Sequence, residues 1–247
     1  MQARNAAADG YTFLVGNTAL TYAPVVYPQA GIDIRRDFAP ISALARVQSC
    51  LIVNPARLDV GSVQAFVDRA RSAPGSIDVA SPGPGTVQHL AIEMLQSRTG
   101  IELTHVPYRG GAPALQDLLA GNVSAAFLSI STLIDYVRRG ELRVLGVAGR
   151  RREPLLPDVP TMDEAGLKDF RAVLWFGLFA PHRTPAAILD RMHELVQASL
   201  DDARIKSLWQ AQAGRVELES RADFARFVDL EVDRWQRIAR AANLQPE

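Results

Sequence analysis

Short apolar runs alternate along the chain with longer stretches in which apolar residues return every three or four positions. Tyr11–Gly16 (YTFLVG) follows an Asp9-Gly10 turn and reads as a strand. Positions 41–53 (ISALARVQSCLIV) form a long extended run. It stops at Asn54-Pro55, where proline removes a backbone donor and restricts the residue before it. Ser62 then caps a helix whose Val63, Phe66, Val67 and Ala70 share one face, closed by Pro74-Gly75.

The pattern then becomes regular. Strand 77–80 leads through the loop SPGPG to a helix from Thr86, with Val87, Leu90, Ala91, Met94 and Leu95 on one face. Strand 102–106 leads to helix 112–120, strand 124–128 to helix 131–138, and strand 143–147 follows. Short β-runs alternating with helices predict βαβ units on a parallel sheet. After Gly149 the stretch RRREPLLPDVPT is charged and proline-rich and reads as a loop, with a short helix starting over Met162–Ala165. Val173–Ala180 (VLWFGLFA) is again long, apolar and extended. Helices over 185–199, 202–212 and 221–242 complete the chain, the last with Phe224, Phe227, Val228, Val232, Trp235 and Ile238 on one side. The two long extended runs bracket a self-contained α/β block, as they would in two lobes joined by paired crossing strands.

Composition narrows the function. The 247 residues are 48% hydrophobic, ample for a buried core. Lys+Arg and Asp+Glu are both 27, and no basic run interleaves with aromatics, so nucleic acid is excluded as a partner. An anion must then be held by local geometry rather than by the overall field. Cys50 is the only cysteine and sits in the apolar run SCLIVN, so there is no internal disulfide and no cysteine-rich metal site. No apolar run approaches the ~18 residues of a membrane span, and MQARNAAADGY lacks the hydrophobic region of a secretory signal.

Catalytic patterns are not visible. The histidines His89, His105, His182 and His193 form no HExxH or HxH pair, and there is no GxSxG. The loop SPGPGT lacks the lysine of a phosphate-binding loop. Glu93 and Asp117 read as solvated helix-face charges. The expectation is no enzyme, no metal and no cofactor.

A repeated device remains. Gly16-Asn17-Thr18, Ser81–Thr86, Pro107–Gly111 and Ser129–Thr132 each place small or hydroxyl residues between a strand's carboxyl end and a helix start. In an open parallel sheet such ends share one edge, where ligands bind. Helix N-terminal N–H groups favour an anion there, and glycine lets the backbone approach. His89, one turn into its helix, either faces a ligand or packs on the sheet. Arg109 reads as exposed, and Trp175 and Phe176 as core or hinge packing.

With these residues in place, the chain resembles the Bug family, periplasmic solute receptors of tripartite tricarboxylate transporters. The matching elements, in order, are DGYTFLVGN (9–17), DFAPISAL (37–44), PGSIDVASPGPGTVQHLAIEML (74–95), HVPYRGGAPALQDLLAGNVSAAF (105–127), GELRVLGVAGRRREPLLPDVPTMDEAG (140–166) and WFGLFAPHRTP (175–185). The resemblance implies a two-lobed periplasmic-binding-protein (Venus-flytrap) α/β fold. Each lobe would be a sheet flanked by helices, with 1–53 plus 175–247 as one lobe and 54–174 as the other.

It also implies capture of a small carboxylate for membrane transporter subunits, by a periplasmic monomer that does not itself insert in the membrane. The same clamshell would equally serve a sensor signalling to a membrane partner. Carried over residue by residue, the ligand contacts are Asn17 and Thr18 in one lobe. In the other they are Ser81, Gly85, Thr86, His89, Tyr108, Gly110, Gly111, Ala112 and Ser129. Two departures accompany it. Members carry a signal peptide and a first strand ending in a Pro-x-Gly-Gly loop before the DGYT strand, and this sequence begins after them: a late start, a trimmed chain, or a degenerate receptor with impaired binding. Leu128-Ser129 stands where some members have an aspartate, which points to a carboxylate without an amino group.

Overall fold

The structure is a computed structural model describing residues 2–242, so Met1 and 243–247, the outer ends of the first expected lobe, lie outside the described residues. Along the chain run β1 (Leu14–Asn17), α1 (Ala19–Val26), α2 (Ile34–Asp37), β2 (Phe38–Val53), α3 (Val63–Ser72), β3 (Asp78–Ser81) and α4 (Val87–Thr99). Next come β4 (Thr104–Pro107), α5 (Gly111–Ala120), β5 (Ala125–Ser129), α6 (Ile134–Arg138), β6 (Arg143–Val147) and β7 (Val173–Pro181). The chain closes with α7 (Ala186–Asp201), α8 (Ala203–Ala211), β8 (Gly214–Arg215) and α9 (Arg221–Ala241).

These elements form two compact units. The first takes the chain up to Arg46 and again from Trp175, and the second is Val47–Leu174. The chain therefore changes unit within β2, at residue 47 rather than 54. The physical reason is hydrogen bonding: Ser49–Val53 pair antiparallel with β5, and Cys50–Val53 pair antiparallel with β6.

In the second unit, β4, β3 and β5 are mutually parallel, each linked to the next by a helix. The sheet is mixed rather than wholly parallel, because β2 enters without a helical crossover and runs against both its neighbours. β2 from Val47, β3 from Val79 and β5 up to Leu128 are buried almost throughout, as strands covered on both faces must be. α4 packs Val87, Leu90, Ala91, Met94 and Leu95 inward, the face its spacing predicts. The short helix expected over 162–165 is a set of turns instead. Thr161 and Glu164 cap each other's backbone N–H groups, and Gly166 at φ 96 ends the turn before a second can form.

In the first unit, β7 lies between β1 and β2, and β1 pairs antiparallel with it from Leu14↔Phe179 to Asn17↔Phe176. Its core gathers Ile34, Phe38, Trp175, Phe179, Phe224 and Val228, with Trp175 edge-on to Phe224 at 6.1 Å. Each large side chain so buried contributes roughly 1.5–3 kcal/mol. α9 buries Phe224, Val228, Val232, Trp235 and Ala239, a stripe of steps of three and four. Tyr22 of α1 meets Trp235 at 6.0 Å. Trp175 is thus core, and Cys50, fully buried, is a small hydrophobe whose thiol pKa burial pushes up.

Candidate functional site

In the second unit the parallel strands β3, β4 and β5 deliver Ser81, Pro107 and Ser129 to one edge of the sheet. β6 runs with them, since both β5 and β6 oppose β2, and brings Ala148–Arg150 to the same edge. This is the edge where open α/β sheets bind ligands.

The loop after β3 needs its glycines. Gly83 and Gly85 sit at φ 138 and 65, and a Cβ on Gly83 would stand 2.9 Å from the Tyr108 carbonyl oxygen. Two backbone bonds tie this loop to the next: Tyr108 N–H donates to Ser81 O at 3.0 Å, and Gly110 N–H to Pro82 O at 2.9 Å. Ser81, fully buried, accepts from Gly83 N–H at 3.2 Å and lies 2.7 Å from His105 Nε2. The Ser–His contact is therefore structural, its hydroxyl being out of reach of a substrate.

Thr86 caps α4, accepting from His89 N–H at 3.2 Å while its hydroxyl donates to Gly83 O at 2.8 Å. His89 is buried beside His105 of β4. Its Nδ1 accepts from Gly85 N–H at 3.1 Å, and its ring stacks on His105 with centroids 4.0 Å apart. Burial lowers both imidazoles, His105 to about 4 with further help from its neighbour His89. Glu93, with Oε1 3.7 Å from His89 Nε2, is raised by burial.

α5 starts differently from α4. No side chain caps it among the described residues, and Pro113 brings no N–H to its first turn. Gly111 and Ala112 thus present first-turn donors without intrahelical partners. Ala112 is exposed and Gly111 half-buried. Tyr108 anchors this start, its hydroxyl donating to Asp117 Oδ2 at 2.7 Å; burial and that bond push the phenol up to about 12. The Tyr108 bond in turn holds Asp117 below the usual carboxylate range. Ser129 accepts from the amide of buried Gln88 at 3.1 Å. Arg109 is exposed, as its loop position predicts.

Ser81, Gly85, Thr86, His89, Tyr108, Gly110, Gly111, Ala112 and Ser129 therefore gather at one edge. Within that group the hydrogen-bonding atoms of Ser81, Gly85 and Gly110 already serve the loops themselves. Asn17 and Thr18 belong to the first unit. There Asn17 Oδ1 accepts from Ala19 N–H at 2.9 Å, and fully buried Thr18 accepts from Trp175 N–H. Sequence reasoning missed Gly83, Gln88 and the site role of His105. The last requires knowing that β4 lies beside β3 with His105 opposite Val79. Among the described residues no three His, Cys, Asp or Glu side chains group as metal ligands would.

Known proteins are similar to this chain in sequence and in fold. A protein from the tcbD–tcbE intergenic region of Pseudomonas sp. strain P51 is 37% identical over 79% of this chain and 58% of its own length. BugT of Bordetella pertussis is 30% identical over 95% of the chain and 72% of its own length. The chain thus spans only part of these relatives. The structure of Rhodopseudomonas palustris Rpa4515 with adipate superposes with a TM-score of 0.86 at 32% identity, over 99% of this chain and 82% of that one. MatC from the same species, with bound malate, gives 0.81 at 29% identity over 96% and 82%. Like these neighbours, which were solved with adipate and malate, the chain folds as a mixed α/β sheet flanked by helices. The sequence profile of TctC, the tripartite tricarboxylate transporter family receptor, matches residues 1–244, and the chain belongs to that family.

Proposed function

We propose that this receptor captures a small carboxylate in the periplasm, as a two-lobed clamshell, and hands it to the membrane subunits of a tripartite tricarboxylate-type transporter. The observation that carries the reading is the uncapped N-terminus of α5 at the edge where β3, β4 and β5 end. A carboxylate there takes the donors of Gly111 and Ala112 and the positive end of the helix dipole, with Tyr108 as a wall. Zero net charge is no obstacle, because the donors are local. The adipate and malate carried by the two Rhodopseudomonas proteins support a dicarboxylate. Leu128-Ser129 in place of an aspartate supports one without an amino group. No described helix is long and apolar enough to cross a membrane.

The test is a thermal-shift series with malate, adipate and citrate, with neutral diamides as controls. Binding at 100 times Kd stabilises by about 2.7 kcal/mol, a clear rise in Tm. No rise with any carboxylate at millimolar concentration overturns the reading.

A further inference from the structure

The stacked imidazoles behind the Ser81–Thr86 loop have a defined hydrogen-bonding state. Because Gly85 N–H donates to His89 Nδ1, that nitrogen must carry a lone pair, and the proton of neutral His89 sits on Nε2, facing Glu93. His105 Nε2 is held by Ser81 Oγ, which also takes the Gly83 N–H. Two consecutive turns of the loop thus rest on one ring each, and the rings rest on one another. A proton added to His89 can go only to Nδ1, where it meets the Gly85 N–H head-on.

We propose that the His89–His105 stack is a proton-operated latch: neutral, it holds the Ser81–Thr86 loop in place through Gly85 and Ser81, and a single added proton releases Gly85. Two protons are not taken up together, since parallel rings 4.0 Å apart cannot both carry charge cheaply.

Glu93, whose own pKa burial raises, is the carboxylate that faces His89. α4 contributes Glu93 at 3.7 Å and, at its far end, Arg98 and the Arg71 contact to Thr99 O. β3 contributes Asp78, at its start, accepting from Ser124 N–H. β5 carries no ionisable side chain. The 107–110 loop brings Tyr108, engaged by Asp117, and exposed Arg109. Burial nevertheless depresses the titration of both rings, which places the release below the ordinary histidine range.

The latch stands on bonds within the second unit alone; only its consequence for solute capture rests on the proposed carboxylate binding. The ligand-free test is NMR of the whole chain, following imidazole nitrogen shifts and the Gly85 amide from pH 7.5 to 4. The amide of Gly100, bonded to Gln96 O at the other end of α4, is the internal control. The latch requires His89 as the Nε2–H tautomer at pH 7.5, and a Gly85 amide that moves with the His89 midpoint while Gly100 stays. In His89→Asn, the His105 midpoint should rise and the Gly85 amide should stop following pH. A His89 protonated on Nδ1 at pH 7.5, or Gly85 and Gly100 moving together, overturns it. Malate or adipate affinity at pH 7.5 and 5 is then read separately: if neither binds at pH 7.5 while the latch titrates as described, the carboxylate reading fails and the latch stands.

Discussion

Thr18 and Trp175 hold each other by two bonds: Trp175 N–H donates to Thr18 Oγ1 at 2.9 Å, and Thr18 N–H returns to Trp175 O at 3.2 Å. The pair locks the β1–α1 turn to the start of β7. Thr18→Val keeps the shape but leaves the buried Trp175 N–H without its side-chain acceptor, a loss of about 1–3 kcal/mol. Thr18→Ser retains the oxygen and should lose less. Urea denaturation of the two variants decides; a valine variant as stable as the parent would remove the pair's structural role.

Gly83, in the β3–α4 loop, should be less replaceable than Gly100, which ends α4. The φ of 138 at Gly83 is foreign to other residues, and a Cβ would press on the Tyr108 carbonyl, a backbone atom that cannot step aside. Gly100 at φ 66 is strained for alanine but opens on empty space. Gly100→Ala should cost about 1 kcal/mol, the left-handed penalty alone. Gly83→Ala should cost more and also weaken the Tyr108–Ser81 bond. Denaturant midpoints, with hydrogen exchange at the Tyr108 amide, test the ordering.

Stability should depend on pH through the histidine stack. Both rings titrate below the ordinary 6.5, His105 at about 4, so between these values the unfolded chain holds more protons than the native one. The stack's contribution is complete above pH 6.5 and is lost as pH falls toward 4. His105→Gln, which keeps a partner for Ser81, should flatten this part of the stability curve. Equal acid sensitivity in the variant and the parent would place the effect elsewhere.

How legible was this in the sequence? Strands β3, β5 and β6 and helices α3, α4 and α9 follow their apolar spacing to within one or two residues, because burial on one face or on both decides them. α1 was not legible: Pro24 lies inside it, and a proline within eight residues argues against a helix until Tyr22 is seen against Trp235. The expected turn of helix at 162–165 failed because the mutual Thr161–Glu164 capping satisfies a single turn completely. At the site, the glycines and hydroxyls were visible as types, but not which donors remain open. That depends on register: β4 beside β3 sets His105 against Ser81, which in turn fixes Gly83. The unit boundary inside β2 was hidden for the same reason, since pairing rather than composition assigns Ser49–Val53 to the second unit.

The carboxylate reading can be tested at a single N–H. Gly111 is the first residue of α5, and a Cβ there meets nothing within 4 Å. Proline is favoured at that position, where its missing N–H removes no helical bond. Gly110 before it has ψ 171, the extended value that a residue preceding proline prefers. Gly111→Pro should therefore leave Tm unchanged or raise it slightly, while deleting one donor to the ligand. A hydrogen bond to a charged group is worth about 1.5–3 kcal/mol, so affinity for whichever carboxylate the panel identifies should fall by roughly 10- to 100-fold. Calorimetric titration against the parent measures it, with Gly100→Ala as a variant altered away from the edge. Undiminished affinity in Gly111→Pro would mean that the carboxylate is held by other groups than the first turn of α5.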